Sequence, residues 1–221
     1  MSDSAHLRFL GHAAFALDVA GLRVVLDPHR PGALGGRFRL PEIVGPFDVL
    51  VVTHPHEDHN AWTPALGQPL RVERDTTIGA LQVRCRAVPH DAEGGLRMGL
   101  SRMVRLQAPG FSLVHSGDLG TFDADDVAFA AGADVLLLAA GGTYTLGPDT
   151  AATFARAVGA RVTVPMHCAD AAIDLPLAPV EDFFAALGAP PCIVDNIDWP
   201  IAADLPTFAA MRRPDAAPIA A

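Results

Sequence analysis

The sequence predicts a mixed α/β (α+β) fold, on three observations. The first half reads as short apolar or alternating strands broken by glycine and proline, and the second half alternates strand and helix. The histidines and neighbouring acids gather just past the ends of apolar runs. At 221 residues and 23.1 kDa the chain suits one core and one domain, residues 1–221. Half of the residues are hydrophobic and 19% are charged, an ordinary globular balance, so disorder is expected only at the ends.

In chain order, 6–10, 13–19 and 22–27 alternate or run apolar at strand length, with Ala20-Gly21 as a tight turn between the last two. Residues 28–46 hold four prolines and four glycines with no sustained period. They are expected to form a loop over the chemistry that follows, and Arg30, Arg37 and Arg39 on it could meet an anionic substrate. Residues 49–52 are β-branched or leucine and are bounded by Pro46 and Pro55, which predicts a strand buried on both faces. Strands follow at 70–74, 80–88, 101–107 and 111–115, then a helix at 123–131 and a strand at 134–138. The next helix, 148–158, has Pro148 in its first turn and Asp149 at the positive end of its dipole. A strand at 161–165 precedes a helix at 179–187, stopped by Gly188. Alanine, proline and arginine dominate beyond Phe208, so 209–221 is expected to be a frayed tail.

The net charge is −9, and all 16 basic residues are arginine. The absence of lysine excludes a Walker-type phosphate lysine, a Schiff base and a lysine general base. The acidic balance disfavours long nucleic acids, whose binding rests on neutralising many phosphates. Cys85, Cys168 and Cys192 have no paired spacing, which argues against a disulfide framework or a cysteine-rich zinc site. Cys168 reads as a small buried hydrophobe. No apolar run reaches the roughly 18 residues needed to span a bilayer. Met1-Ser2-Asp3-Ser4 lacks the basic and apolar regions of a signal peptide, so a cytoplasmic location and no membrane partner are expected.

The densest chemistry is Thr53-His54-Pro55-His56-Glu57-Asp58-His59, immediately after the buried run. Pro55 prevents a continuous helix, which excludes a His-Glu-x-x-His site on one helical face. His54 and His56, two apart, can point the same way from an extended turn, whereas Asp58 and His59 must diverge. One pair can hold one metal and the other pair a second. Donors of this kind, without thiolate, suit zinc and also manganese, iron or cobalt.

This His-x-His-x-Asp-His pattern after a hydrophobic strand resembles the signature of the metallo-β-lactamase-fold hydrolases. The resemblance implies three more ligands in a fixed order, and each is present: His90 in Val88-Pro89-His90, Asp118 in Ser116-Gly117-Asp118, and His167 in Val164-Pro165-Met166-His167. It extends to Leu10-Gly11-His12-Ala13-Ala14-Phe15, Leu26-Asp27-Pro28 and Gly141-Gly142-Thr143-Tyr144-Thr145, and so covers nearly the whole chain. It points to the small stand-alone branch that includes ascorbate-6-phosphate lactonase.

The implied architecture is a four-layer αβ/βα sandwich with the site at the seam. The implied site holds two Zn2+ ions, one on His54, His56 and His90, the other on Asp58, His59 and His167, with Asp118 bridging and Asp58 and Asp118 as catalytic carboxylates. A metal-bound water with its pKa lowered to about 7 would be the nucleophile. His90, Asp91, Gly94, Gly95, Arg97 and Gly99 match the relatives' segment after the third-motif histidine, but Ser101-Arg102 replaces their Asn-Thr. Arg97 is the candidate anion clamp, and the Tyr144 hydroxyl a candidate donor to substrate or leaving group. His12, Asp27 and His115 are expected to stand behind the ligands, with Asp27 orienting a ligand histidine. Glu57 reads as a solvated carboxylate.

The implied function is metal-dependent hydrolysis of a small ester, lactone, amide or phosphoester, with a small-molecule partner and no fixed stoichiometry; a homo-oligomer is compatible. Three rivals stand beside it: a ribonuclease Z-like nuclease, for which no RNA-gripping insertion is evident; a diiron redox protein, whose relatives place a carboxylate where His56 stands; and a metal-binding protein without turnover.

Overall fold

Two six-stranded sheets face each other across one apolar layer. The structure is a computed structural model and describes residues 4–214. The first sheet comprises β1 (Ala5–Gly11), β2 (Ala14–Val19), β3 (Leu22–Leu26), β4 (Val49–Val51), β5 (Leu70–Val72) and β13 (Asn196–Trp199), in the order β13-β1-β2-β3-β4-β5. The second comprises β6 (Thr76–Ile78), β7 (Leu81–Pro89), β8 (Leu100–Ala108), β9 (Phe111–His115), β10 (Val135–Ala139) and β11 (Val162–Met166), in the order β11-β10-β9-β8-β7-β6. Neighbours joined directly by loops are antiparallel, as is the β1–β13 pair, and β3–β4, β4–β5, β9–β10 and β10–β11, joined by longer crossovers, are parallel. Ala20 and Gly21 both take positive φ, 52° and 77°, as a two-residue hairpin between β2 and β3 requires.

The period of two assigns the faces. In β10, Val135, Leu137 and Ala139 pack toward the first sheet, while Leu136 and Leu138 pack beneath the helices. In β2, Phe15 and Leu17 enter the central layer and Ala14 and Ala16 face outward. The helices cover the second sheet. α2 (Ala124–Ala130) starts after Asp123, whose carboxylate accepts the N–H groups of Asp125 and Asp126 while Asp126 reciprocates. α3 (Pro148–Val158) has the predicted bounds, and α4 (Val180–Leu187) ends at left-handed Gly188.

The fold is the expected one, with one outer layer of a different kind. Over the first sheet, Ile43, Phe47 and Leu66 from non-α-helical chain pack on Ala14, Ala16, Val25, Leu50 and Val52. Pro41, Gly45 and Pro46 deny that stretch a helix. The 28–46 segment is irregular as predicted apart from α1 (Ala33–Gly36), a single turn in which Leu34 and Gly35 are left-handed. It is nevertheless well packed: Phe38 and Leu40 are buried against Ala33 and Ile173. Arg30, Arg37 and Arg39 on it are exposed.

The frayed tail expected from 209 is corrected for the residues described. Ala209, Ala210 and Met211 are buried, and β14 (Ala210–Met211) pairs in parallel with β12 (Ile193–Val194). The alanines that suggested fraying are small enough to pack closely beside β11, where Thr163 N–H donates to the Thr207 carbonyl at 2.7 Å. Residues 215–221 of that expectation lie outside the described residues. Among the described residues no helix is long and apolar enough to cross a membrane.

Gly141 follows β10 where the chain passes the end of β11, and a Cβ there would lie 1.9 Å from the His167 carbonyl oxygen. Gly141→Ala must therefore push His167 away. A cost of roughly 1–3 kcal/mol is expected, read as a fall in melting temperature of about 3–10 °C. Unchanged melting would show that the two loops can part freely.

Candidate metal centre

Six strand ends deliver the side chains. His12 follows β1, Asp27 follows β3, the 54–59 motif follows β4, His90 follows β7, Asp118 follows β9 and His167 follows β11. His12, Asp27 and His167 hold left-handed backbone at φ 58°, 42° and 54°, conformations costly for residues with a Cβ. Strained turns at the ends of buried strands direct these side chains into one place.

The seven predicted ligands converge. The Nε2 atoms of His59, His90 and His167 each lie 3.3 Å from Asp118 Oδ2, and His54 Nε2 lies 3.8 Å from it. His56 Nδ1 is 3.1 Å from His90 Nε2, and Asp58 Oδ2 is 3.7 Å from His59 Nε2. Two ligands about 2.0–2.1 Å from a common tetrahedral centre are themselves about 3.3 Å apart, so these contacts have the spacing of coordination edges. Among the described residues three groups of donors lie within mutual reach: His54, His56 and His90; His12, Asp58, His59 and His167; and Asp27, His54 and His59, which spans both. His54 Nε2, His59 Nε2 and Asp118 Oδ1 are buried without a hydrogen-bond partner, as unsatisfied donors aimed at a cation would be.

Electrostatics agree with that fit. Burial opposes ionisation of Asp118, yet the His167 and His59 imidazoles hold its carboxyl well below the usual range. Burial likewise opposes charge on Asp58, and His59 and His12 outweigh it in the same direction. His59 is the converse: despite burial, Asp118 and Asp58 raise it well above an ordinary imidazole. His54 is pushed down to about 3 by burial and then by His59, and His12 to about 3 by burial and then by His167. The centre thus favours positive charge that its own imidazoles cannot all carry together.

A network behind the donors fixes their orientation. Asp27 Oδ2 accepts the His59 Nδ1–H at 2.9 Å and the Thr53 hydroxyl at 2.6 Å, while Oδ1 accepts the Thr53 N–H at 2.8 Å. Thr53 Oγ1, its proton given to Asp27, accepts the His54 Nδ1–H at 2.9 Å. One carboxylate therefore steers a histidine of each half of the site. His90 Nδ1–H donates to the Tyr144 carbonyl at 3.0 Å. His115 donates from Nε2 to the Ala13 carbonyl at 2.9 Å and accepts the Gly117 N–H on Nδ1 at 3.0 Å, bracing the turn that presents Asp118. His12 Nε2 lies 3.3 Å from Asp58 Oδ2, and its ring packs 4.0 Å from that of His167 and edge-on to Phe38 at 4.9 Å. Asp27 and His115 thus lie behind the donors, whereas His12 lies among them, within reach of the same point as Asp58, His59 and His167.

One expectation changes. Arg97 does not join the cluster: its side chain is 71% exposed and pairs with Glu93 at 3.4 Å. Its part is played by the main chain, as the N–H groups of Glu93, Gly95, Arg97 and Met98 all donate to Asp91. The Tyr144 carbonyl accepts the His90 Nδ1–H. Glu57 is exposed, but Oε2 accepts the Leu34 N–H at 2.9 Å and ties the 28–46 segment to the motif. Sequence reasoning assigned no role to Thr53, which lies inside the motif, or to Phe38. It also missed Ser101, whose hydroxyl oxygen accepts the Asp118 N–H at 3.0 Å and lies 3.3 Å from His54 Nδ1. Next to it, Arg102 donates to the Thr53 carbonyl at 2.8 Å. The departure from Asn-Thr at 101–102 was the available signal.

Comparison with known proteins agrees with this geometry. The family model described as the beta-lactamase superfamily domain matches residues 6–167, from β1 through the last proposed ligand. The chain belongs to this superfamily. Among β-lactamase superfamily relatives, a protein named UPF0173 metal-dependent hydrolase from Methanoculleus marisnigri is 30% identical over 189 residues, covering 73% of this chain and 80% of the relative. One of the same name from Caldivirga maquilingensis is 26% identical over 197 residues, covering 73% and 81%. The crystal structure of a candidate Zn-dependent hydrolase of the metallo-β-lactamase superfamily from Thermotoga maritima superposes with a TM-score of 0.74 at 26% identity, covering 94% of this chain and 98% of that one.

If Asp27 steers both halves of the site, Asp27→Asn should lower zinc affinity by roughly 10–100-fold with far-ultraviolet circular dichroism unchanged; competition against a chelating dye reads this, and wild-type affinity would remove Asp27 from the site. A second expectation concerns acid. The N–H groups of Met98, Arg97, Gly95 and Glu93 hold the Asp91 carboxyl down to about 2. Its stabilisation is thus complete above the unfolded pKa of about 3.9 and is lost as pH falls toward about 2. Hydrogen exchange at residues 93, 95, 97 and 98 should accelerate across that window in the wild type, and Asp91→Asn should already exchange fast above it.

Proposed function

We propose that the protein is a metal-dependent hydrolase that holds two divalent cations and acts in the cytoplasm on a small ester, lactone, amide or phosphoester. Zinc is the first choice of metal, and manganese, iron and cobalt suit the same donors. The observation that carries the proposal is the convergence of His59, His90 and His167 at 3.3 Å on one Asp118 oxygen, with His54 at 3.8 Å. The names of the relatives support it.

Cations bound there would acidify a coordinated water toward a pKa of about 7 and polarise the scissile bond. The residues supply the rest. His54, His56 and His90 form one half-site, Asp58, His59 and His167 the other, and Asp118 joins them. Ser101 and the His115-braced turn hold Asp118 in place, while Asp27 fixes the tautomers of His54 and His59. Asp58, kept ionised by His59 and His12, would accept a proton from the attacking water. An imidazole at His56, with Nδ1 3.1 Å from His90 Nε2, favours hydrolysis over the diiron redox rival. The net charge of −9 works against the nuclease reading, so a small molecule is the partner.

Zinc-loaded protein tested on a panel of esters, lactones, amides and phosphodiesters should turn over at least one class. Asp118→Ala should abolish that turnover and lower metal content by elemental analysis. A fully active Asp118→Ala variant would sink the bridging role, and an inactive wild type carrying two metals per chain would favour a binding protein without turnover.

A further inference from the structure

A cavity of about 360 Å3 lies beside the metal centre, within the size range of small-molecule sites. Phe9, Met166, Val180, Ile193 and Met211 contribute its apolar wall, and His12 and His167 are the cluster residues that line it. Asp58, His59 and Asp118 do not line it, so an occupant would abut the centre through two histidine rings without reaching the bridging carboxylate. Both histidines are at least 98% buried, and the Nδ1 atom of each has no hydrogen-bond partner. The other side of the cavity is built from residues beyond 167, where the superfamily match ends.

Charge narrows the ligand. Arg212 Nη1 pairs with Asp195 at 3.3 Å and Arg213 Nη2 with Asp170 at 3.7 Å, so the arginines on the wall are already balanced by acids. The Cys168 thiol donates to the Met166 carbonyl at 3.3 Å, which commits it within the protein. What remains is an apolar volume whose polar edge is two imidazoles and the buried Nε–H of Arg212, which has no hydrogen-bond partner.

We infer that this cavity binds a neutral small molecule with an aliphatic or aryl body and one hydroxyl or carbonyl group, the polar group lying at the His12–His167 wall. Turnover at the metal centre is not required for such binding. The site shares His167 with the second metal position, so ligand and metal affinities are coupled in both directions.

The test is a titration of the full-length protein, carrying 13C-methyl methionine, with 1-hexanol. Met166 and Met211 line the cavity and Met98 and Met103 do not, so saturable shifts should be confined to the first pair. 1-Butanol, shorter by two methylenes, should bind roughly tenfold or more weakly, since each buried methylene contributes about fourfold. Hexanoate, with the same chain and a charge, should also bind more weakly than 1-hexanol. Val180→Trp should abolish the shifts by filling the space, and Ile193→Trp should do the same if the first variant is poorly folded. Non-saturating shifts, or uniform shifts at the methyls of Met98, Met103, Met166 and Met211, tighter binding of hexanoate, or wild-type affinity in the folded tryptophan variants would each overturn the inference. None of these readouts depends on hydrolysis.

Discussion

A carboxylate that is only 2% exposed, Asp118, must be neutralised by something, and the structure around it is largely an answer to that requirement. Among the described residues its ion-pair partners are all imidazoles: His54, His59, His90 and His167. Protons on those rings could balance the charge only a few at a time, because the rings are buried and repel one another once charged; His54 is driven down to about 3 by burial and then by His59. A divalent cation resolves the conflict, since it supplies two charges while leaving the imidazoles neutral and their lone pairs occupied. Metal presence and fold stability should accordingly be linked, because the donors converge only in the native state.

The same requirement explains the positions of the strained residues. Imidazoles and carboxylates from six strand ends reach one point only if several turns are tighter than a residue with a Cβ prefers, and His12, Asp27 and His167 adopt left-handed backbone there. Such turns persist when their surroundings leave no alternative. Asp27 is held by three hydrogen bonds from Thr53 and His59, His167 lies under the chain at Gly141, and the His12 ring is enclosed by Phe38 and His167. The two-sheet core behind them, continuous from Leu7 through Val164, provides the rigidity against which the strain is held.

Much of this was legible in the sequence because the chemistry is local and the strands are strongly patterned. A run such as 49–52 followed at once by three histidines and two acids declares both a buried strand and a site at its end. Support residues were readable where their type is restrictive: a buried Asp27 or His115 has few uses other than hydrogen bonding to a neighbour. Ser101 was not readable as a brace, because a serine that links His54 to Asp118 across 47 and 17 residues has no local signature. Arg97 misled for the opposite reason. Its charge suggested a role for the side chain, whereas the position serves through its N–H in a loop wrapped around Asp91. Composition misled at 209–211 too, since alanine reads equally well as frayed chain and as the only residue small enough for a tight contact.

The point at which the superfamily match ends gives these observations a common logic. Residues 6–167 carry every proposed ligand and every brace named above, and their geometry is constrained by the distances a cation demands. Among the described residues, those after 167 supply none of the proposed ligands. They contribute α4, β12, β14 and the far wall of the cavity next to His12 and His167. A segment free of coordination constraints can change its side chains without disturbing the metals, provided it still covers the edge of β11. Selectivity for a particular small molecule is therefore most readily built there. On the proposed reading, the chemistry is set by side chains that must agree with one another, and specificity by side chains that need only agree with a ligand.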